Sequence, residues 1–262
     1  SQDPNLQNIP IKTELGQEFR KAFIASPGFK MVSFDYSQIE LRIAAHISKD
    51  EKMMAAFRRG EDIHTRTAAE IFGVNSEAVD KNMRRDAKVL NFGVLYGMGI
   101  LGFQRASGVS RERARDFIDR YMKEFYGVAK YMENMKIKAR KDGYVTTMFG
   151  RRRWLPEIKS SMPQIVSQAE RMAINMPIQG TAADLMKLAM IKVFEHIHNS
   201  GDQDDVFLLL QVHDELLFEI KEELVKKTTE KIKSIMENAY KFDVPLIVDV
   251  KVGNNWAEMQ QL

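Results

Sequence analysis

The chain has 262 residues, 44% hydrophobic and 29% charged, which excludes a disordered polymer and leaves room for one large domain or two smaller ones. It has no cysteine, which excludes disulfides and thiolate metal sites, and no long uncharged apolar run, so no membrane span is expected. Its 39 Lys and Arg against 36 Asp and Glu leave a net charge of +3, too small by itself to name a partner.

The first residue is Ser rather than Met and no signal-peptide pattern follows, which reads as a cleaved or engineered boundary. In chain order, "SQDPNLQNIP" is turn-rich and expected to be extended. Lys30 to Tyr36 is predicted as a strand and Gln38 to Ile47 as a helix. Helical pattern then dominates from about residue 50 to 140, with breaks near Gly73, Gly97 to Gly102 and Gly108. "YVTTMFGRRRWLP" predicts a hairpin closed around Gly150. Gln164 to His198 is predicted helical with a break at Pro177 and Gly180. "VFLLLQVHDELLFEI" is strand-like on both sides of His213-Asp214, Glu222 to Tyr240 is an amphipathic helix, and "PLIVDVKV" alternates as a half-buried strand does. The expected fold class is α+β: a helix-rich chain with a small, mostly antiparallel sheet.

"SFDYSQIELR" places Asp35 at a strand end and Glu40 in the helix that follows. Ser37 as N-cap and Glu40 at the third helical position would form a capping box, which explains Glu40 but not Asp35. "LLLQVHDELLFEI" embeds His213, Asp214 and Glu215 in an apolar run. A hairpin turn is the plain explanation, but Asp-Glu lacks the Gly or Asn that two-residue turns prefer. Burying adjacent carboxylates costs several kcal/mol unless a cation compensates. Asp35 and Asp214, each at a strand edge of one sheet, are therefore candidates to share divalent metal, and all-oxygen ligation points to Mg²⁺ or Mn²⁺. A zinc site at His213 is weaker, because no second His lies at ligand spacing.

In "NMRRDAKVLNFGVLYG", Met83, Ala87, Leu90 and Val94 fall on one stripe at 100° per residue, the expected core face. Arg84, Lys88, Phe92 and Tyr96 step by four along a second face. The cations suit phosphate and the aromatics suit stacking on a base; the alternative is a helix buried on two sides with both cations snorkelling. Among the basic clusters, Arg151-Arg152-Arg153 after Gly150 is the best candidate phosphate contact, because it sits at a turn.

"DYSQIELR", "RRDAKVLNFGVLYG" and "QVHDE" resemble, in order, motifs A, B and C of the DNA polymerase I family (family A), and "DPNLQNIP", "GEDIHTRTAAEIFG", "GYVTTMFGRRRWLP" and "QAERMAINMPIQGTAADLMK" resemble the same family. The likeness runs through nearly all of the chain. It implies a palm at residues 1–50 and 141–262, fingers at 51–140 with the motif B helix at about 80–97, and a thumb and any exonuclease-like domain outside these residues. It implies template-directed DNA synthesis from dNTPs on primer-template DNA, with two Mg²⁺ ions, or Mn²⁺ in their place, held by Asp35, the Tyr36 carbonyl and Asp214. Glu215 would be an outer carboxylate. Arg84 and Lys88 would hold the triphosphate, Lys88 could protonate pyrophosphate, and His64 would add a phosphate contact. Glu40 would be the gate that excludes a ribose 2′-hydroxyl, with Gln38 beside the nucleotide, Phe92 against its sugar and base, and Tyr96 at the template position. Arg171, Asn175 and Gln179, which otherwise read as a polar helix face, would touch the duplex near its minor groove. His213 would approach the primer end, and Arg151 and Arg152 would contact DNA.

The resemblance further implies a monomer in a cytoplasmic, nucleoid-associated setting of bacterial type, or in an organelle, and weak, distributive synthesis by residues 1–262 alone. The rival readings are a single-subunit RNA polymerase, which Glu40 as gate argues against, a DNA-binding fragment with little activity, and a metal-dependent nuclease, which would have no use for the Lys and aromatic helix.

Overall fold

The computed structural model describes residue 9 and residues 14–262. Apart from Ile9, the turn-rich stretch at residues 1–10 lies outside the described residues. The elements run α1 (Glu14–Lys21), β1 (Phe29–Tyr36), α2 (Ile39–Ser48), α3 (Glu51–Arg58), α4 (Ile63–Phe72), α5 (Lys81–Leu95), α6 (Ile100–Ser107), α7 (Arg111–Glu124), α8 (Tyr126–Asp142), β2 (Tyr144–Thr146), β3 (Arg152–Trp154), α9 (Pro163–Ser200), β4 (Val206–Val212), β5 (Glu215–Lys221), α10 (Val225–Glu237), β6 (Val248–Gly253) and β7 (Gln260–Gln261). This is the α+β class, helical with a small antiparallel sheet. The chain divides into two compact units, one made of Ser1–Ile39, Leu185–Lys241 and Leu246–Leu262, the other of Glu40–Asp184 and Phe242–Pro245.

The first unit holds the five-stranded sheet, in the order β4-β5-β1-β6-β7 with every neighbouring pair antiparallel. The β-branched and aromatic residues of β1, β5 and β6 give one fully apolar face: Val32, Phe34, Tyr36, Leu216, Phe218, Ile220, Val248 and Val250 are all buried. Phe34 and Phe218 meet edge to face at 5.4 Å, and the buried Tyr36 hydroxyl donates to Met236 O (2.7 Å), pinning α10 to the sheet. That helix buries Val225, Thr228, Thr229, Ile232 and Met236, the three- and four-residue spacing of one face, each apolar member contributing about 1.5–3 kcal/mol. The start expected at Glu222 is a 3₁₀ turn over Glu222–Leu224, and the α-helix begins at Val225. On the other face Met31, Val212, Leu217 and Trp256 form a second apolar cluster, and beyond it toward the end of β1 lie Ser33 and Asp35.

In the second unit α4 packs on α5 and α7, and α8 on the β2–β3 hairpin. Aspartates cap α3, α4 and α5: the side chains of Asp50, Asp62 and Asp80 accept the first free N–H groups of each helix. The hairpin closes as expected around Gly150, whose φ of +83° suits a residue without Cβ. The break expected at Pro177 and Gly180 does not occur: α9 is a single 38-residue helix. Gly180 is there for close approach, since a Cβ would lie 2.5 Å from Thr147 Cγ2. The same contact is tied by Thr181, whose hydroxyl donates to Pro177 O (2.5 Å) and accepts from Met148 N (3.0 Å), and by Arg151 Nη2, which donates to Gly180 O (2.9 Å). Tertiary hydrogen bonds thus hold a helix through a proline that local rules would make its end.

Candidate active site: an acidic sheet edge and a cationic helix

In the first unit the acids converge because antiparallel pairing aligns three strand ends. Asp35, near the end of β1, is directly opposite Glu215 on β5 and Asp249 on β6. His213-Asp214 is the two-residue link between β4 and β5, and Tyr36 N donates to Asp214 O (3.1 Å), which draws the two candidate metal ligands to one edge. The plain hairpin explanation therefore holds, with a correction: the turn pair is His213-Asp214, not Asp214-Glu215. His213 occupies the first turn position at φ +54°, where such turns favour glycine. Ser33 Oγ donates to Glu215 Oε1 (2.6 Å), which leaves Glu215 held back from the edge. Asp35 has no such partner, and its Oδ1 is buried without a hydrogen bond. Burial, then the charges of Asp214, Glu215 and Asp249, push the Asp35 carboxyl up to about 7, with Lys251 opposing. Burial also raises Asp214.

Among the described residues no group of three or more His, Asp or Glu side chains forms a ready-made metal cage. The donor set nonetheless suits a hard cation that takes most of its oxygens from elsewhere: two crowded carboxylates, one with an unpartnered buried oxygen. A cleft of about 470 Å³ beside Asp35 is lined by Ser33, Glu215, Lys251, Arg20 and Trp256, with the Arg20 guanidinium 4.1 Å over the Trp256 ring. Asp249, Lys251 and Arg20 were missed at the level of sequence. The alternation of "PLIVDVKV" puts Asp249 and Lys251 on one face, but nothing local says which strand they will oppose.

In the second unit the stripe reading of α5 holds: Ala87, Leu90 and Val94 are buried and Met83 half-buried. Arg84 and Lys88 are exposed, so the helix is not buried on two sides. The rings of Phe92 and Tyr96 stack at 6.4 Å and 23°, and the Tyr96 hydroxyl donates to Glu40 Oε2. Arg84 is engaged: its Nε and Nη2 both donate to Asp62 Oδ2 (3.1 and 2.6 Å), while Asp62 Oδ1 caps α4 by accepting from His64 N and Thr65 N. Burial would raise Asp62, but the Arg84 fork and the Thr65 N–H hold it below its ordinary range. His64 is buried at the start of α4, its ring 5.7 Å from that of Phe92. Burial pushes the ring down to about 4 against the pull of Asp62, with Arg84 and Lys88 adding to the fall, so it is neutral at physiological pH.

Glu40 stands at the second position of α2, which begins at Ile39, and Gln38 precedes it at φ +53°. The helix therefore starts one residue later than the capping-box reading requires, because Gln38 takes a left-handed conformation. On α9, Arg171 and Gln179 are exposed, Arg171 Nη1 donates to Ser167 Oγ (3.1 Å), and Asn175 Oδ1 is buried without a partner. Arg151 grips α9 through Asp184 Oδ1 (2.9 Å) and Gly180 O, while Arg152 lies 4.9 Å over the half-buried hairpin ring of Tyr144.

One chain thus carries an antiparallel sheet with acids at its strand ends and a capped helix bearing Arg, Lys and two stacked aromatics. The model of the family described as DNA polymerase family A matches residues 1–258, and the chain belongs to that family. It is 50% identical over 261 residues to "DNA polymerase I, thermostable" of Thermus filiformis, an alignment covering 100% of this chain and 31% of the relative. It is also 50% identical over 258 residues to DNA polymerase I of Pseudomonas aeruginosa, covering 98% and 28%. Among solved structures, the POL domain of Pol1 from M. smegmatis, in complex with DNA primer-template and dNTP, matches with a TM-score of 0.93 at 44% identity, covering 97% of this chain and 45% of that one. The chain spans about a third of the length of the curated relatives it matches. Among the described residues no helix is long and apolar enough to cross a membrane.

Proposed function

We propose that the chain carries out template-directed DNA synthesis, transferring a nucleotide from a dNTP to a primer 3′-hydroxyl with release of pyrophosphate. The observation that carries the reading is Asp35: a buried carboxylate with an unpartnered oxygen, crowded by three other acids, is costly to keep unless the site is built to take a cation. The M. smegmatis relative, with its primer-template and dNTP, supports the choice of substrates.

Asp35 and Asp214, with the Tyr36 carbonyl, would hold two Mg²⁺, or Mn²⁺ in their place, which when bound supply Lewis-acid activation of the attacking hydroxyl and neutralise the triphosphate. Glu215, already bonded to Ser33, would shape the field of the edge rather than act as an essential ligand. Arg84 and Lys88 would bind the triphosphate, Arg84 with the guanidinium donors that Asp62 does not use, and Lys88 would donate a proton to the departing pyrophosphate. Phe92 would pack on the incoming sugar and base, Glu40 would exclude a 2′-hydroxyl, Gln38 would flank the nucleotide, and Tyr96 would stack at the template position. Arg171, Asn175, Gln179 and the exposed His213 would contact the duplex; of the hairpin arginines, Arg152 is the better phosphate contact because Arg151 is bound to Asp184. The reaction is then governed by positioning and charge neutralisation, as phosphoryl transfer generally is.

Primer extension with Mg²⁺, comparing wild type with Asp214→Ala, tests this. Loss of at least about a hundredfold in rate is expected, since even the outer partners of a metal ligand cost roughly 10–100-fold when mutated; extension at the wild-type rate would sink the reading. Running deoxy- against ribonucleotides separates a DNA from an RNA polymerase.

A further inference from the structure

The start of α4 and the middle of α5 are joined by a buried polar chain of which the sequence reading used only His64, as a phosphate contact. His64, Thr67 and Asn91 are 2%, 0% and 0% exposed. The Asn91 amide nitrogen lies 3.0 Å from His64 Nδ1, and the Thr67 hydroxyl lies 3.0 Å from Asn91 Oδ1 and 2.8 Å from Ile63 O. A neutral imidazole has one donor and one acceptor nitrogen, so the group facing Nδ1 decides what Nε2 offers.

We propose that Asn91 is a positioning residue that sets the tautomer of His64, so that the ring presents an Nε2–H donor, rather than a lone pair, to the triphosphate of an incoming nucleotide. The proposal rests on the nucleotide-binding reading of α5. The Thr67 hydroxyl has one proton for two acceptors, Ile63 O and Asn91 Oδ1; the amide stands with Oδ1 toward Thr67 and its N–H toward Nδ1, which must then accept. The proton of the neutral ring is then left on Nε2. The charged groups acting on the ring are Asp62 at the cap of its own helix and Arg84 and Lys88 on α5. The two cations oppose an imidazolium, and an N–H pointing at Nδ1 opposes it further. A neutral donor tuned by a hydrogen bond would therefore add to the Arg84 and Lys88 contacts without placing a third cation among them. The reversed amide, donating to Thr67 and accepting from Nδ1–H, would leave Nε2 a bare lone pair that repels phosphate.

The test is long-range ¹H–¹⁵N spectroscopy of the 262-residue chain, its five histidines ¹⁵N-labelled and His64 assigned by His64→Gln. Wild type is expected to show Nε2 protonated and Nδ1 unprotonated from pH 6 to 8; a protonated Nδ1 overturns the proposal whether or not the chain is a polymerase. In Asn91→Leu, nothing holds Nδ1 as an acceptor, so the neutral ring is expected to shift toward the Nδ1–H tautomer, while burial, Arg84 and Lys88 keep it uncharged. KM for dNTP should rise about tenfold, the size of one hydrogen bond to a charged group, with kcat little changed. Thr67→Val, which frees the amide to turn, should give a mixed tautomer and serves if Asn91→Leu fails to fold. A folded variant with an unmoved ring spectrum, or a moved spectrum with unmoved KM, refutes the positioning role. A wild-type chain that extends no primer sinks the polymerase reading instead, and the ring spectrum still decides the tautomer.

Discussion

Asp35→Asn should make the protein more stable while abolishing its chemistry. The carboxyl is pushed from 3.8 to about 7, chiefly by burial and then by Asp214, Glu215 and Asp249, which corresponds to about 4 kcal/mol against the ionised form in the folded chain. Asp35 keeps some solvent contact, which screens the neighbouring charges, so about 2 kcal/mol is the expected gain from Asn above pH 7. The sign follows from proton binding. The folded chain binds the Asp35 proton more tightly than the unfolded chain, so its stability is full below pH 4 and falls as the pH rises toward 7. Asn does not titrate, and its amide can donate to the neighbouring carboxylates, so its advantage should be absent at pH 3.5, grow through pH 5 and 6, and level off above 7.

Thermal unfolding of both proteins in EDTA at pH 3.5, 6 and 8 measures this. A gain of about 2 kcal/mol raises Tm by roughly 4–8 °C for a chain of this size. Added Mg²⁺ should shrink the difference, because a cation bound by Asp35 stabilises wild type and not the variant. An Asp35→Asn protein that is less stable than wild type in EDTA at pH 8, or whose advantage is the same at every pH, would refute the argument that this edge is strained by charge.

Gly180→Ala should destabilise the second unit by about 1–3 kcal/mol, because the new methyl lies 2.5 Å from Thr147 Cγ2; urea unfolding reads the loss, and Thr147→Ser should recover part of it. His213→Gly should relieve a left-handed non-glycine turn residue by about 1 kcal/mol in a thermal melt, yet lower primer extension if the imidazole meets the primer end as proposed. Glu40→Ala should raise ribonucleotide incorporation in single-nucleotide extension; unchanged sugar discrimination rejects the gate role, and Tyr96→Phe, which removes only the hydroxyl that Glu40 accepts from, separates loss of the carboxylate from loss of the tie.

The elements were legible where one periodicity dominates. Ala87, Leu90 and Val94 are buried as 100° spacing predicts, and Lys30 to Tyr36 is the strand Phe29–Tyr36 less one residue. The reading failed where a tertiary contact overrides a local rule. Pro177 and Gly180 look like helix punctuation, but the helix is held there by Met148 N on the Thr181 hydroxyl, by Arg151 on Gly180 O and by the close approach of Gly180 to Thr147, partners on the hairpin that no local pattern reaches. His213-Asp214 lacks the Gly or Asn that two-residue turns prefer, and the hairpin forms because β4 and β5 pair along their lengths and force the link to comply.

The site shows a different kind of gap. Each charged or aromatic residue was read as an independent contact for a ligand, whereas the structure pairs several of them with each other. Arg84 is forked to Asp62, Tyr96 is tied to Glu40, His64 is bonded to Asn91, and Arg151 is bonded to Asp184. In the acidic edge Glu215 answers to Ser33 while Asp35 answers to nothing. A substrate that uses Arg84 or Glu40 therefore has to share or displace a bond the chain already makes, so substitution of Asp62 or Tyr96 should change nucleotide selection even though neither side chain carries the chemistry. Sequence supplies the identity of such groups; which of them is engaged, and by what, is fixed only when the helices and strands that carry them are packed.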